Sequence, residues 1–170
     1  MTDTIDAGSA TGEDAAYVAI EARLKNPAAL LPGAFEAIQG LIASCRKGGV
    51  PKTTMALVHM RVSQINGCSF CVNAGWSGRT PDESEDRRLV AVGAWREAPY
   101  FTAAERAALA LAECVTRLSD RPDPVPDEVW DEAARHFDEP QLAALVLWIT
   151  TSNVFNRINV TTRQPAGSWG

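Results

Sequence analysis

Two cysteines separated by two residues, Cys68 and Cys71, are the residues best suited to chemistry in this sequence. Thiols at this spacing on one turn of a helix can form a reversible disulfide, and in a cytosolic protein such a pair is more often redox-active or metal-binding than structural. Asn66 and Gly67 precede the pair, and glycine readily takes the left-handed conformation that ends a helix. A new helix that begins at Cys68 would hold this thiol near the positive end of the helix dipole, which favours the thiolate form.

A structural zinc ion is the main alternative for the two thiols. Zinc needs two further Cys or His ligands nearby, whereas Cys45 and Cys114 stand alone and His59 and His136 are the only histidines. We therefore predict neither a metal nor another cofactor. Cysteine is often buried as a small hydrophobe, so Cys45 and Cys114 fit core packing, and the same interpretation stays open for the pair itself.

The composition is that of one folded domain. The chain has 170 residues, of which 46% are hydrophobic, enough for a substantial core. Its net charge of −5 argues against nucleic-acid binding, which needs a basic patch. The longest apolar run, residues 142–149, is far shorter than the ~18 residues of a membrane span, and the polar N-terminus predicts no signal peptide. We expect a cytoplasmic protein that binds no membrane, with residues 1–14 as a disordered tail and 15–170 as a single domain.

The periodicity of apolar residues is helical and predicts an all-α fold with about six to eight helices. The pattern covers residues 34–44, 51–65 and 83–97. Thr102 and Glu105 match a capping box, and Asp138 can cap a long last helix. Residues 15–25 could form a short helix or an extended arm that ends at Pro27. The wholly apolar run in the last helix predicts a core or subunit-interface position and thus an oligomer.

Three stretches carry a resemblance to a known family. They are LVHMRVSQINGCSFCV at residues 57–72, AWREAPYFTAAERAALALAE at 94–113 and NRINVTTRQPAG at 156–167. Over residues 34–167 the chain resembles the alkylhydroperoxidase D-like (AhpD-like) branch of the carboxymuconolactone decarboxylase family. The resemblance implies a compact helical subunit that assembles into trimers or hexamers. It also implies an antioxidant peroxidase or thiol–disulfide oxidoreductase that takes a hydroperoxide as substrate and an external dithiol as reductant.

The resemblance further implies a role for each sulfur. The Cys71 thiolate attacks the peroxide and becomes a sulfenic acid, and Cys68 resolves it to a disulfide. Such a thiolate needs a base to form and an acid to protonate the leaving alkoxide.

The residues that would move the proton are missing from this sequence. The family places a Glu twelve residues before the first cysteine and a His four residues after the second, where this chain has Ala56 and Gly75. Some members add a His between the cysteines, where Phe70 stands here. His59, three residues beyond Ala56, is a possible substitute proton donor, although this spacing rotates it about 300° around the helix. A hydrogen-bonded structural role for His59 is the simpler interpretation.

The lost proton relay supports a second hypothesis, in which the scaffold serves another small molecule. The protein would then catalyse a non-redox step such as elimination, isomerisation or cyclisation, or would only bind its ligand in a biosynthetic pathway. Trp76 follows the cysteines and could stack on such a ligand, although a subunit contact explains an aromatic residue equally well. The last helix carries a polar strip at residues 150–153. The candidate substrate-binding residues are Trp76, Phe70, Asn153 and Asn156.

Overall fold

The structure is a computed structural model that describes residues 20–76 and 83–168, without the side chains of 83–86. Eight α-helices and no strand occur within these ranges, which confirms the predicted all-α class. The helices are α1 Pro27–Leu30, α2 Ala34–Arg46, α3 Lys52–Ile65, α4 Ser69–Trp76, α5 Glu83–Ala91, α6 Ala103–Thr116, α7 Asp127–His136 and α8 Glu139–Thr162. Short 3₁₀ turns follow α5 at Val92–Ala94 and α6 at Leu118–Asp120. The predicted tail, residues 1–14, lies outside the described residues.

Two predicted caps fix the beginnings of the two helices that cross the core. The Thr102 hydroxyl accepts from the Glu105 backbone N–H at 3.2 Å, and the Glu105 carboxylate accepts from the Thr102 N–H at 2.9 Å. Asp138 and Gln141 exchange the equivalent pair of hydrogen bonds at the start of α8. Both capping boxes satisfy backbone donors that the first helical turn leaves without partners.

Two predicted boundaries were wrong. Pro27 begins α1 and does not end a helix, because the Asn26 side chain caps it by accepting the Ala28 N–H at 2.9 Å, and proline has no N–H to satisfy at the first helical position. The helix predicted over 83–97 ends at Ala91 and tightens into a 3₁₀ turn. Gly93 lies in that turn, and glycine disfavours the helix interior.

The core lies where α3 crosses α6 and α8. Val58 and Val62 of α3 are fully buried there, with Leu111 of α6 and Leu145 and Ile149 of α8. A second cluster on the other side of α3 packs Leu57 and Met60 against the α5 segment and α6. Helix α3 is therefore packed on both sides.

The apolar run of α8 lies in the core on one side only. Leu142, Leu145 and Ile149 are buried, as the core prediction required, whereas Leu147 is 42% exposed. No helix within residues 20–76 and 83–168 has the length and apolar character that a membrane crossing requires.

Candidate active site

Cys68 and Cys71 form a disulfide at the first turn of α4, with their Cα atoms 5.3 Å apart. Helix α3 ends at Ile65, and Gly67 then takes the left-handed conformation at φ 65°, as the sequence predicted. The Cys68 carbonyl accepts the Val72 N–H at 2.9 Å, and its sulfur accepts the Cys71 N–H at 3.2 Å. Cys68 is thus the capping residue of α4, and both sulfurs belong to buried residues.

A buried amide contacts the sulfur of Cys71. Asn159 of α8 donates from Nδ2 to the Cys71 Sγ at 3.3 Å. The Oδ1 of Asn159 accepts from Asn26 Nδ2 at 2.9 Å, and both asparagines are buried. Sequence reasoning missed both residues. One signal was available, because asparagines recur every third residue along α8, at 153, 156 and 159.

The other two asparagines of this row join α8 to the turn before the disulfide. Asn66 Nδ2 donates to Asn153 Oδ1 at 3.0 Å and to Asn156 Oδ1 at 2.8 Å. Asn156 Nδ2 donates to the Ser63 hydroxyl at 3.1 Å. The structure therefore places the predicted binding residues Asn153 and Asn156 inside the protein, where other side chains already satisfy them.

His59 lies against α4 and α8. Its Nδ1 is 3.1 Å from the Ser152 hydroxyl, and the ring also forms a hydrogen bond with the backbone of Cys71. Burial lowers the pKa of His59 below its ordinary value of 6.5, and the hydrogen bond with Cys71 only partly offsets this. The imidazole is therefore neutral at pH 7, and it contacts the backbone of the residue that carries the sulfur.

The imidazole of His59 lies near the two positions where the family keeps its Glu and His. A Cβ built on Gly75 would be 3.5 Å from the Cδ2 and 4.0 Å from the Nε2 of His59. Ala56 lies one turn before His59 and lines a surface cleft with Trp148, whose ring is 6.0 Å from the imidazole. A rotation of about 300° equals about 60° in the opposite sense, so residues three apart share a helix face. The spacing from Ala56 is thus no obstacle to a role for His59.

The two aromatic candidates lie on α4. Trp76 is its last residue and is 45% exposed, whereas Phe70 in its first turn is partly buried. Both are close in sequence to the disulfide, but Trp76 lies at the opposite end of α4 from Cys68. Residues 77–82, which follow Trp76, lie outside the described part of the chain.

A cleft of about 420 Å³ reaches the disulfide from the side of Cys68. Gly67, Cys68 and Ser69 form one wall, and Asn159 and Arg163 belong to the other. A small reactant that enters here would lie against Cys68, although the residue itself is only 1% exposed.

The two remaining cysteines lie apart from this site. Cys45 is buried in the core cluster, where burial raises the pKa of its thiol and a hydrogen bond with Thr151 partly offsets the rise. Cys114 is buried on α6, and its sulfur accepts from Arg121 at 3.0 Å. In the part of the chain with described side chains, no group of three or more Cys, His, Asp and Glu could hold a metal ion.

The described residues form a helical fold that holds a CxxC disulfide at the start of α4. A family model, the carboxymuconolactone decarboxylase family, matches residues 30–113. The uncharacterised protein YdfG of Bacillus subtilis is 34% identical over 123 residues, which cover 72% of this chain and 82% of YdfG. The uncharacterised protein YnjA of Escherichia coli is 33% identical over 111 residues, 65% of this chain and 59% of YnjA. The chain belongs to the carboxymuconolactone decarboxylase family.

Solved structures show the same AhpD-like fold. A protein of unknown function from Agrobacterium tumefaciens, described as a candidate antioxidant defence protein AhpD, superposes with a TM-score of 0.74 at 28% identity, over 86% of this chain and 98% of that one. The debrominase Bmp8, in a cysteine-to-alanine variant bound to 2,3,4-tribromopyrrole, has a TM-score of 0.67 at 21% identity, over 82% and 74% of the two chains. At that identity the likeness to Bmp8 concerns the fold alone.

Proposed function

We propose that this protein is an AhpD-like thiol–disulfide oxidoreductase that reduces hydroperoxides with the Cys68–Cys71 pair. The observation that carries the proposal is the disulfide itself, closed at the first turn of α4 with an amide donor on the Cys71 sulfur. A helix N-terminus and a hydrogen-bond donor both favour a thiolate at this position. The description of the Agrobacterium protein as an antioxidant defence protein supports the same class.

The reaction begins with the reduced pair. The Cys71 thiolate attacks the terminal oxygen of the hydroperoxide, the O–O bond breaks, and Cys71 becomes a sulfenic acid while the alcohol leaves as an alkoxide that takes up a proton. The Cys68 thiol then attacks the Cys71 sulfur, water leaves, and the disulfide forms. An external dithiol reduces the disulfide and is itself oxidised to a disulfide.

His59 is the residue that moves the proton in this proposal. Its neutral ring can accept the thiol proton as Cys71 ionises, in exchange for one of its hydrogen bonds with Ser152 and the Cys71 backbone, and can return the proton to the alkoxide. The Ser152 hydroxyl fixes the imidazole, and the hydrogen bond with the Cys71 backbone keeps it next to the reacting residue. Because His59 already lies beside Gly75, a histidine introduced there would compete with it for space.

The test is a peroxidase assay with hydrogen peroxide or cumene hydroperoxide and dithiothreitol as reductant. We expect turnover by the unchanged protein and loss of turnover in Cys71→Ser. Cys114→Ser is the matched control, because Cys114 is also a buried cysteine but lies on α6 away from the disulfide. Turnover that survives in Cys71→Ser would refute the assignment of the attacking sulfur.

A second candidate function is a step on another small molecule, for which the same fold in a debrominase and the exposed ring of Trp76 are the supporting observations. In this case Trp76 and Phe70 would contact the ligand, with Asn153 and Asn156 reached only after α8 and the α3–α4 turn separate. We would measure binding of 2,3,4-tribromopyrrole by calorimetry. Binding that Trp76→Leu abolishes, in a protein without peroxide turnover, would favour this function.

The proposal includes a cytoplasmic homo-trimer or hexamer. Leu147 and Val154 are 42% and 38% exposed and lie seven residues apart, on one stripe of α8. Apolar side chains in such a stripe are typical of a subunit interface. Light scattering should therefore give a mass several times the 18.3 kDa of one chain. A monomer at micromolar concentration would contradict this part of the proposal.

A further inference from the structure

A chain of hydrogen bonds fixes which end of the Asn159 amide meets the Cys71 sulfur. The Ala28 N–H can only donate, so Asn26 must present Oδ1 to it, at 2.9 Å. Asn26 therefore turns its Nδ2 towards Asn159, and Asn159 must accept this hydrogen bond with Oδ1. The only end of the Asn159 amide left for Cys71 is the donor, Nδ2, 3.3 Å from the sulfur.

The segment that carries Asn26 is fastened to the end of α8. The Arg23 N–H donates to the Thr162 carbonyl at 2.8 Å, and Gln164 Nε2 donates to the Leu24 carbonyl at 2.8 Å. Asn26 and Asn159 are 5% and 2% exposed, so water does not compete for either amide. The orientation of the Asn159 amide is thus set by Asn26, which is far away in sequence and lies in a segment hydrogen-bonded to the end of α8.

The hydrogen bond from Asn159 Nδ2 to the Cys71 sulfur is weak while the disulfide is intact, because a disulfide sulfur is a weak acceptor. Reduction changes this. Cys68 is the cysteine of the pair that lines the cleft. The thiolate of an external dithiol attacks Cys68 Sγ, the Cys68–Cys71 bond breaks, and Cys71 leaves with the electron pair as a thiolate. A hydrogen bond to an ionised acceptor is roughly twice as strong as one between neutral groups.

We propose that Asn159 stabilises the Cys71 thiolate that appears on reduction, and that Asn26 is the positioning residue that keeps the Asn159 donor on the sulfur. The inference rests on the redox role of the pair stated under the proposed function. It adds a role for Asn159 in both steps. Asn159 stabilises Cys71 as the leaving group when the disulfide is reduced and again as the thiolate that attacks the peroxide. The pair is a better oxidant of external dithiols because its reduced form is stabilised.

The test is the redox equilibrium of the full chain with dithiothreitol, read by trapping the free thiols and counting them by mass spectrometry. We expect Asn159→Leu to lower the equilibrium constant for reduction about tenfold, the effect of one charge-assisted hydrogen bond. Asn156→Leu is the matched control, since this asparagine is equally buried and one turn away but bonds to Ser63 and Asn66, with no hydrogen bond to either sulfur. Equal shifts in the two variants, or no shift in Asn159→Leu, would overturn the proposal.

Asn26→Asp tests the positioning role. A carboxylate accepts the Ala28 N–H with one oxygen and the Asn159 Nδ2 with the other, so the amide of Asn159 should turn its oxygen towards Cys71. The equilibrium constant should fall, and this fall should largely disappear in the Asn159→Leu background. A fall of equal size in that background would mean that the new charge acts directly, and Asn26 would lose the role.

A second measurement separates this inference from the peroxidase proposal and from loss of structure. In a Cys68→Ser background, the pH profile of Cys71 alkylation by iodoacetamide should move to higher pH by about one unit in Asn159→Leu. Asn159→Ser, too short to reach the sulfur, should move the profile in the same direction if the leucine variant fails to fold. The shift needs no peroxide, so an inactive peroxidase with this shift refutes only the proposed function. An unchanged profile in both variants refutes the inference.

Discussion

Two polar clusters lie inside this bundle, and they consist of opposite kinds of groups. In the first, three arginines converge on the buried carboxylate of Glu113. Arg61 approaches it at 2.6 Å and Arg96 at 2.8 Å, with Arg117 farther away at 3.8 Å. The Trp95 N–H adds a hydrogen bond at 2.9 Å.

The second cluster lies at the disulfide and consists of neutral side chains, although Arg163 lines the cleft beside Cys68. The amide of Asn159 contacts the Cys71 sulfur, and a neutral His59 is fixed by Ser152. The difference between the clusters indicates their tasks. Every oxygen of Glu113 is already matched by a cation or donor, which suits a permanent structural link. At the disulfide the Asn159 amide meets a sulfur with no charge, which fits our proposal that its donor serves the thiolate formed on reduction.

Removing the titratable group from the neutral cluster should have the largest effect. His59→Gln keeps a side chain that can bond to Ser152 but cannot carry a proton at neutral pH. We expect peroxide turnover to fall about 10²- to 10⁴-fold, the usual contribution of one general acid–base group. His136→Gln is the control, because His136 is partly exposed and bonds to Glu132. Unchanged turnover in His59→Gln would remove His59 from the mechanism.

Changing the charged cluster should alter stability and leave the sulfur chemistry intact. Glu113→Gln leaves Arg61, only 15% exposed, without its carboxylate. We expect the free energy of unfolding to fall by about 3 kcal/mol, as for other broken buried ion pairs. Urea unfolding measures this, with the more exposed Glu132→Gln as control. The redox equilibrium with dithiothreitol should not change, and a large change there would show that the two clusters are coupled.

The effect of Glu113 should depend on pH. Burial alone would raise the pKa of Glu113, but hydrogen bonds from Trp95, Arg96 and Arg61 outweigh burial and hold it below its ordinary value of 4.5. A lowered carboxyl pKa stabilises the folded state fully above the unfolded value and is lost as pH falls towards the folded one. The stability difference between Glu113→Gln and the unchanged protein should therefore be full at pH 7 and shrink below pH 4.5. A gap that stays constant down to pH 3 would contradict this.

The helices and the disulfide could be predicted from sequence because their signals are local. Capping residues lie within three positions of the helices they begin, and Gly67 marks the turn before Cys68. Pro27 was misread because proline is compatible with both a helix start and a helix end. Only Asn26, recognised as a cap, decides between them.

The environment of the sulfurs depends on contacts that no local pattern encodes. Asn26 and Asn159 are 133 positions apart in sequence, and Asn159 contacts a sulfur 88 positions before it. The spacing of three along α8 could have identified a polar stripe, but not its partners. His59 was noticed in the sequence as a possible proton donor, and the structure shows the hydrogen-bonded environment that the simpler interpretation expected. Only the rotation argument against a proton-donor role fails, because residues three apart share a helix face.

The smallest expected effect comes from the titration of His59. Burial lowers its pKa below the ordinary 6.5, so below that pH the unfolded chain binds a proton that the folded chain resists. Stability should then decrease as pH falls from 7 towards 5.5, since the state that binds more protons is favoured by acid. His59→Gln should flatten this part of the stability profile, measured by urea unfolding at closely spaced pH values, whereas His136→Gln should not. If the slope persists in His59→Gln, another group causes it, and folding does not lower the pKa of His59.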